Sequence, residues 1–147
     1  MSKSDFTVTI EVDRPASVAF NAINNVRGWW QGEFKGATAN LGDEFTYQME
    51  DIHLSTQKIV EFVPNKKVVW LVTKSKLSFT KKPDEWTGTK IVFDLTEKDG
   101  KTKIVFTHTG LTSAFECYKD CSNAWTLLVK ESLSSLIKTG KGKKVFG

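Results

Sequence analysis

The sequence predicts an α+β fold in which a strongly curved antiparallel sheet wraps around one long C-terminal helix. Two observations lead to this prediction. The segment 113–139 has the apolar periodicity of a single amphipathic helix, and five or six segments before it alternate apolar and polar residues as strands do. A helix with one apolar stripe and a sheet with one apolar face bury both surfaces by packing against each other. The sheet is therefore expected to curve around the helix.

The strand predictions rest on this alternation. Residues 6–12 alternate strictly, and further strands are predicted at 44–50, 55–63, 68–73, 89–97 and 102–109. The basic stretch that follows 68–73 is expected to prolong that strand. Asp99-Gly100 separates the last two strands and is a strong signal for a hairpin turn. The residues predicted to share one face of these two strands are Ile91, Phe93, Leu95, Ile104, Phe106 and His108.

Two short helices are predicted between the first and second of these strands. Asp13 can cap the free backbone amides of the first helix, and Pro15 is tolerated at a first helical position. The apolar stripe of this helix consists of Val18, Ala19, Ala22 and Ile23. A second helical turn at 26–30 carries Trp29 and Trp30, and adjacent side chains on a helix point in different directions.

The final helix has recognisable ends. Ser113 and Glu116 fit a capping box, and Gly140 fits a C-cap. Ser132 is a polar gap in the apolar face, and it would either face a cavity or bond to its own backbone one turn back. The predicted apolar face consists of Ala114, Tyr118, Cys121, Trp125, Val129, Ser132 and Leu136, and the opposite face of Glu116, Asn123, Lys130, Ser134 and Lys138.

Length and composition predict one soluble domain spanning 1–147. The formal net charge is +4, and the lysines are scattered along strands and loops, which favours a solvated surface over a nucleic-acid interface. The first residues contain no apolar run, so no secretory signal is predicted, and no segment approaches membrane-spanning length. We therefore expect a cytoplasmic protein with reduced cysteines.

The interior is predicted to be aromatic, because five Trp and ten Phe are many for 147 residues. Aromatic walls with few polar groups suit a flat or lipid-like molecule. The candidate ligand-binding residues are Trp29, Trp30, Phe45, Tyr47, Trp70, Phe93, Phe106, His108 and Trp125. No catalytic residue and no cofactor is predicted.

The chain has two histidines. His108 lies on the inferred inner face beside Phe106, where a packed, hydrogen-bonded core histidine is the favoured interpretation. The alternative is a polar anchor for a ligand or a general acid or base. Asp94 alternates with the outward set, and both Asp94 and Glu97 are expected to point to solvent, so neither is expected to orient His108. His53 follows two acidic residues and is expected on the surface.

The two cysteines, Cys117 and Cys121, are one helical turn apart and could supply half of a metal site. The chain has no further cysteine, and neither histidine is on the helix. Two reduced thiols and no bound metal are therefore expected, with Cys121 the slower to react because it is nearer the centre of the apolar stripe.

Several segments carry a resemblance to a known family. The matching segments are Asp13-Arg14-Pro15-Ala16-Ser17-Val18-Ala19-Phe20, Gly28-Trp29-Trp30, Leu41-Gly42-Asp43-Glu44-Phe45, Val69-Trp70, Glu85-Trp86-Thr87-Gly88-Thr89, Phe106-Thr107-His108-Thr109-Gly110-Leu111, Asn123-Ala124-Trp125 and Thr139-Gly140-Lys141-Gly142. With the order of the elements, they resemble the helix-grip fold of the START-like or SRPBCC superfamily, which includes the birch-pollen allergens. Within it the chain is most similar to the bacterial homologues of the activator of heat-shock protein 90 ATPase.

The resemblance implies a deep apolar cavity between the sheet and the long helix, of the kind used for lipids, hormones or polyketides. It does not imply one activity. Three functions are therefore compared. The first is a non-catalytic protein that binds a small lipid-like or aromatic molecule. The second is a cyclase- or hydrolase-like enzyme with His108, Tyr47 and Ser132 as its polar groups, and the third is an interaction module acting on a chaperone.

The first function is favoured, because no pair of titratable groups is predicted inside the cavity. The expected partner is a small apolar molecule, with neither nucleic acid nor stable membrane association. A monomer or weak homodimer is expected, and a chaperone partner is kept as the weaker alternative.

Overall fold

A computed structural model describes residues 5–38, 40–78, 80–112, 115–116 and 118–144. Within them, seven strands form one antiparallel sheet in the order β1-β7-β6-β5-β4-β3-β2. The elements before the final helix are β1 Phe6–Val12, α1 Ala16–Asn24, α2 Val26–Trp29, β2 Glu33–Gly36, β3 Glu44–Met49, β4 His53–Val63, β5 Lys67–Leu77, β6 Lys90–Lys98 and β7 Lys101–Thr109. The long helix, which we call α3, runs over 118–139. The predicted α+β helix-grip fold is confirmed.

The last two strands in the sequence, β6 and β7, match their predictions closely. β6 and β7 pair around Asp99 and Gly100, which both have positive φ angles (55° and 76°), as a two-residue hairpin turn requires. The face predicted to point inwards is buried. β1 then pairs with β7 along its whole length, with Phe6 opposite His108.

Two parts of the sheet differ from the prediction. β2 was not predicted, because four residues at a sheet edge are too few to show a period. β4 has two register irregularities against β5, at Thr56/Gln57 and at Ile59/Glu61. At the first, the extra residue is Thr73 on β5, so the alternation of β4 continues to Ile59. At the second, Val60 is an extra residue in β4 itself, and this shift explains the poor alternation at the end of the segment. Bulges also bend a strand and increase its twist, and so help the sheet to curve.

The N-terminus of α1 is capped by a different residue from the one predicted. Pro15 occupies the N-cap position and no side chain of the helix start caps the amides. The backbone N–H of Ala16 instead donates to Glu97 Oε1 at 2.6 Å. The cap therefore comes from β6, far along the chain, and the prediction that Asp13 caps this helix was wrong.

We expect Glu97→Ala to lower the free energy of unfolding by about 1 kcal/mol, the usual effect of losing a side-chain cap. The measurement is urea unfolding, and Glu97→Gln should recover most of the loss because its amide oxygen can still accept the bond. Glu11→Ala is the control, since Glu11 is also an exposed acid on the sheet. Equal losses for Glu97→Ala and Glu11→Ala would contradict the capping role.

The final helix begins later than predicted. Phe115 and Glu116 lie in a turn, and the helix begins at Tyr118 rather than at residue 113. The backbone N–H of Glu116 donates to Glu85 Oε2 at 2.8 Å. Ser113, and with it the predicted capping box, lies outside the described residues. The predicted C-cap is confirmed, because Gly140 has φ of 85° and its N–H donates to the carbonyl of Leu136.

The helix also changes its winding near the middle. Tyr118–Leu127 and Ser134–Thr139 are α-helical, whereas Leu128–Leu133 is a π-helix. A π turn contains more residues than an α turn, so the buried face moves along the sequence after Leu128. Ser134, predicted on the outer face, is buried, and the buried residue in the last turn is Ile137 rather than Leu136.

Candidate functional site

A pocket of about 380 Å³ lies between α3, the β3–β4 hairpin and the connection from β5 to β6. The hairpin and the connection each bring aromatic side chains towards the N-terminal half of the helix. The described lining residues are Trp30, Tyr47, Met49, Ile52, His53, Trp86, Asp120, Cys121, Ala124, Trp125 and Leu128.

The wall is built from rings that contact one another. Trp30 stacks on Tyr47 with 4.2 Å between ring centroids, and it also contacts Trp125 at 4.9 Å. Trp86 stacks on Trp125 from another side at 5.7 Å. These rings are almost fully buried and hold one another in place. The pocket therefore has a rigid aromatic wall, with Met49 and Leu128 as its more adaptable apolar parts.

Three of the nine residues predicted for the pocket line it, namely Trp30, Tyr47 and Trp125. The other six lie in the core behind the wall: Trp29, Phe45, Trp70, Phe93, Phe106 and His108. Phe106 is packed directly behind Trp125, with ring centroids 4.7 Å apart, and Phe93 is packed behind Phe106 at 5.1 Å. The periodicity identified the inner face of the sheet, but an inner face contains both core and pocket.

His108 is a fully buried core residue with both ring nitrogens in hydrogen bonds, which confirms the favoured interpretation. Trp125 Nε1 donates to His108 Nδ1 at 3.1 Å, and His108 Nε2 lies 2.8 Å from Thr89 Oγ1. The Thr89 hydroxyl donates to the carbonyl of Trp86 at 2.6 Å. Burial, and then repulsion by His53, lower the pKa of His108 to about 3. The ring is therefore neutral at physiological pH.

His53 is half-buried in the pocket wall rather than exposed, so the prediction of a surface position is wrong. β4 begins at His53, two residues earlier than predicted, so that its side chain points to the inner side with Ser55. Its ring contacts Trp86 edge-on at 4.5 Å and Tyr47 at 5.0 Å. Burial lowers the pKa of His53 to about 3. The pocket wall thus contains a neutral imidazole that sequence reasoning missed.

Two polar groups of the enzyme alternative make internal hydrogen bonds. The Tyr47 hydroxyl donates to the carbonyl of Gln31 at 2.6 Å, and burial raises the pKa of Tyr47. Ser132 Oγ donates to the carbonyl of Trp29 at 2.8 Å and accepts from the backbone N–H of Lys143 at 3.0 Å. Ser132 thus faces neither a cavity nor its own backbone, but ties the π segment to α2 and to the C-terminal tail.

The cysteines and metal-binding groups add little to the site. Cys121 is buried and lines the pocket, while Cys117 lies outside the described residues. Among the residues that the structure describes, no group of three or more His, Cys, Asp or Glu side chains could hold a metal ion. In the same part of the chain, no helix is long and apolar enough to cross a membrane.

Trp86 is the largest wall residue that sequence reasoning did not select. It lies in the irregular connection between β5 and β6, where no period marks an inner face. Asp120, Ala124 and Leu128 come from the helix, and Met49 and Ile52 from the hairpin. Only the position of the connection against the helix shows that these residues meet.

Comparison with solved structures finds the same fold in other proteins. The solution structure of the Aha1 dimer from Colwellia psychrerythraea has a TM-score of 0.75 and 20% identity, covering 95% of this chain and 99% of that chain. Protein MLL2253 from Mesorhizobium loti has a TM-score of 0.70 and 16% identity, covering 89% and 96%. DynU16, a putative protein in the dynemicin biosynthetic locus, has a TM-score of 0.67 and 14% identity, covering 92% of this chain and 48% of that chain.

At these identities the structural likeness establishes the fold alone. No curated protein sequence matches the chain. The family model described as Activator of Hsp90 ATPase homolog 1-like protein matches residues 13–138, which is most of the sequence. The chain therefore belongs to the family of Activator of Hsp90 ATPase homolog 1-like proteins.

Proposed function

We propose that this protein binds a small apolar molecule, lipid-like or aromatic, in the pocket between α3 and the β3–β4 hairpin. The observation that supports this most is the pocket itself, whose volume of about 380 Å³ is lined mainly by aromatic and aliphatic side chains. Concave apolar sites of this kind, with a few polar groups, are the usual form of a small-molecule site. The rigid aromatic rings would contact a flat ligand with little loss of side-chain entropy.

Binding without catalysis is favoured over the cyclase- or hydrolase-like alternative. His108 and Ser132 are buried outside the pocket lining and are held by internal hydrogen bonds. The neutral His53 ring has Ser55 as its described hydrogen-bond partner, rather than a carboxylate that would orient it as a general base. The described lining therefore offers a ligand apolar contacts but no oriented general base, and we propose binding without a reaction.

The test is titration with N-phenylnaphthylamine, a neutral apolar dye whose fluorescence rises in apolar surroundings. We expect saturable binding to the native protein and quenching of tryptophan fluorescence. Ala124→Phe should weaken dye binding by about tenfold or more, because the new ring fills part of the pocket.

Asn123→Phe is the matched control for this experiment. It adds the same ring at the neighbouring, exposed helix position, which does not line the pocket. Its dye affinity should equal that of the native protein. Absence of saturable binding, or equal weakening by both variants, would contradict a ligand site in the pocket.

Further proposals concern the oligomeric state, a chaperone partner and the cellular location. The solved Colwellia neighbour is a dimer, which supports testing whether this chain is a monomer or a weak homodimer. Light scattering over a dilution series distinguishes the two. The family match keeps a chaperone partner as the alternative, and we propose a cytoplasmic location.

A further inference from the structure

A row of polar side chains runs along the inner side of β4, from the pocket into the core. His53 lines the pocket, and its Nε2 lies 2.9 Å from Ser55 Oγ. Gln57 Nε2 donates to the same Ser55 Oγ at 2.5 Å. Ser55 and Gln57 are both buried, in a core that is otherwise aromatic and aliphatic. Such a row is costly to bury unless its hydrogen bonds are made, so its donors and acceptors can be counted.

The count assigns the proton on His53. An amide nitrogen can only donate, so Ser55 Oγ is an acceptor towards Gln57. The Ser55 hydroxyl then has its own hydrogen to place, and the described acceptor within reach is His53 Nε2. In this orientation of the Gln57 amide, whose Oε1 is buried without a partner, His53 Nε2 accepts from Ser55 and the proton of the neutral ring lies on Nδ1.

His53 Nδ1 is open to the pocket. It has no hydrogen-bond partner among the described residues, and it is not one of the buried polar atoms that lack a partner. The other ring donors of the wall are not available in this way. Tyr47 donates to the carbonyl of Gln31, and the Trp30 side chain is hydrogen-bonded to that of Tyr47. Trp125 Nε1 donates to His108 Nδ1, and Trp86 Nε1 is buried without a partner.

The same count gives the opposite result for His108. The Thr89 hydroxyl donates to the carbonyl of Trp86, so Thr89 Oγ1 can only accept from His108 Nε2. His108 Nδ1 accepts from Trp125 Nε1. The two histidines, which contact the Trp86 ring at 4.5 and 4.7 Å, are therefore expected to carry their protons on different nitrogens. The tautomer of His108 therefore serves as an internal reference when the tautomer of His53 is measured.

We propose that His53 Nδ1–H is the specificity-determining donor of the pocket, and that it selects apolar ligands carrying a neutral hydrogen-bond acceptor such as a ketone or ether oxygen. Asp120 is the one carboxylate among the described lining residues, and no described lysine or arginine lines the pocket. A carboxylate ligand would meet repulsion there without a compensating cation. The inference rests on the proposed function for its ligand class, but the proton assignment of His53 does not.

The first experiment measures the proton positions by nitrogen NMR of uniformly labelled protein, because the two tautomers of a neutral imidazole have opposite patterns of ring-nitrogen shifts. We expect one histidine protonated on Nδ1 and the other on Nε2. His53→Phe should remove the Nδ1–H pattern and leave that of His108. Finding His53 protonated on Nε2 would overturn the proposal whether or not any ligand binds.

The second experiment compares three matched ligands by displacement of N-phenylnaphthylamine: acetylnaphthalene, ethylnaphthalene and naphthoate. The native protein should prefer acetylnaphthalene to ethylnaphthalene by about three- to tenfold, the range expected for one neutral hydrogen bond, and should bind naphthoate more weakly than both. His53→Phe should keep the ring contacts and abolish this preference. Ser55→Ala, which frees Nε2, should reduce it.

Leu54→Ala is the control variant, because Leu54 lies on the outer side of β4 beside His53 and is exposed. It should leave the preference unchanged. Equal binding of acetylnaphthalene and ethylnaphthalene would overturn the role of His53 while leaving the proposed apolar site intact. Failure of the dye and all three naphthalenes to bind would overturn the ligand site and the selectivity together.

Discussion

Trp125→Ala is expected to lower the free energy of unfolding by about 3–5 kcal/mol, the range for truncating a buried large side chain. Trp125 is 1% exposed and packs against Trp30, Trp86 and Phe106, so its removal leaves a cavity between the helix and the sheet. It also removes the indole N–H that donates to His108 Nδ1, and this leaves a buried acceptor unpaired.

Two variants separate these contributions in urea unfolding. Trp125→Phe keeps an aromatic ring but removes the indole donor, so its loss should be smaller than that of Trp125→Ala. Leu127→Ala is the helix control, because Leu127 is 42% exposed and its truncation should change stability by under about 1 kcal/mol. A loss for Trp125→Ala as small as that of Leu127→Ala would show that the helix does not dock through this face.

The regular parts of the sheet could be predicted because their side-chain period is undisturbed. β1, β6 and β7 lie together at one end of the sheet and have one buried face each. The period of β4 fails after Ile59, where Val60 is an extra residue, although the strand is one of the two longest. The cap on α1 is beyond any local pattern, since Glu97 is distant from Ala16 in the sequence.

The π segment of α3 explains why the predicted buried face of the helix is correct in its first half and wrong in its last turns. Cys121 and Trp125 were placed correctly on the buried face, because Tyr118–Leu127 has the ordinary α period. The π segment then adds a residue per turn, and Ser134 becomes buried against the prediction. Sequence periodicity assumes a constant turn and contains no signal for such a change.

Predicting the pocket residues required information that the strand pattern does not contain. Trp30, Tyr47 and Trp125 were selected as part of an aromatic interior, and the same criterion also selected six residues of the solid core. Trp86 and His53 were missed because one lies in an irregular connection and the other at a strand end. A signal for His53 was present: His53, Ser55 and Gln57 alternate as a polar row.

Stability is expected to fall as the pH drops below about 6.5, by about 1.4 kcal/mol per pH unit for each of the two histidines. In the unfolded chain each imidazole takes up a proton near its ordinary pKa of 6.5, whereas in the folded protein burial lowers both pKa values to about 3. Between these values the unfolded state binds more protons. This contribution to stability is therefore complete above pH 6.5 and is lost as the pH falls towards 3.

Urea unfolding of the native protein and of His53→Phe between pH 7 and pH 5 measures the contribution of one histidine. Acidic side chains are common to both proteins, so the difference between the two slopes reports the imidazole. In the window below about pH 6.5, the slope for His53→Phe should be smaller by about 1.4 kcal/mol per pH unit. Equal slopes would mean that folded and unfolded chains protonate His53 alike. The contact with Trp86 and the burial of the ring would then not keep His53 neutral below its ordinary pKa of 6.5.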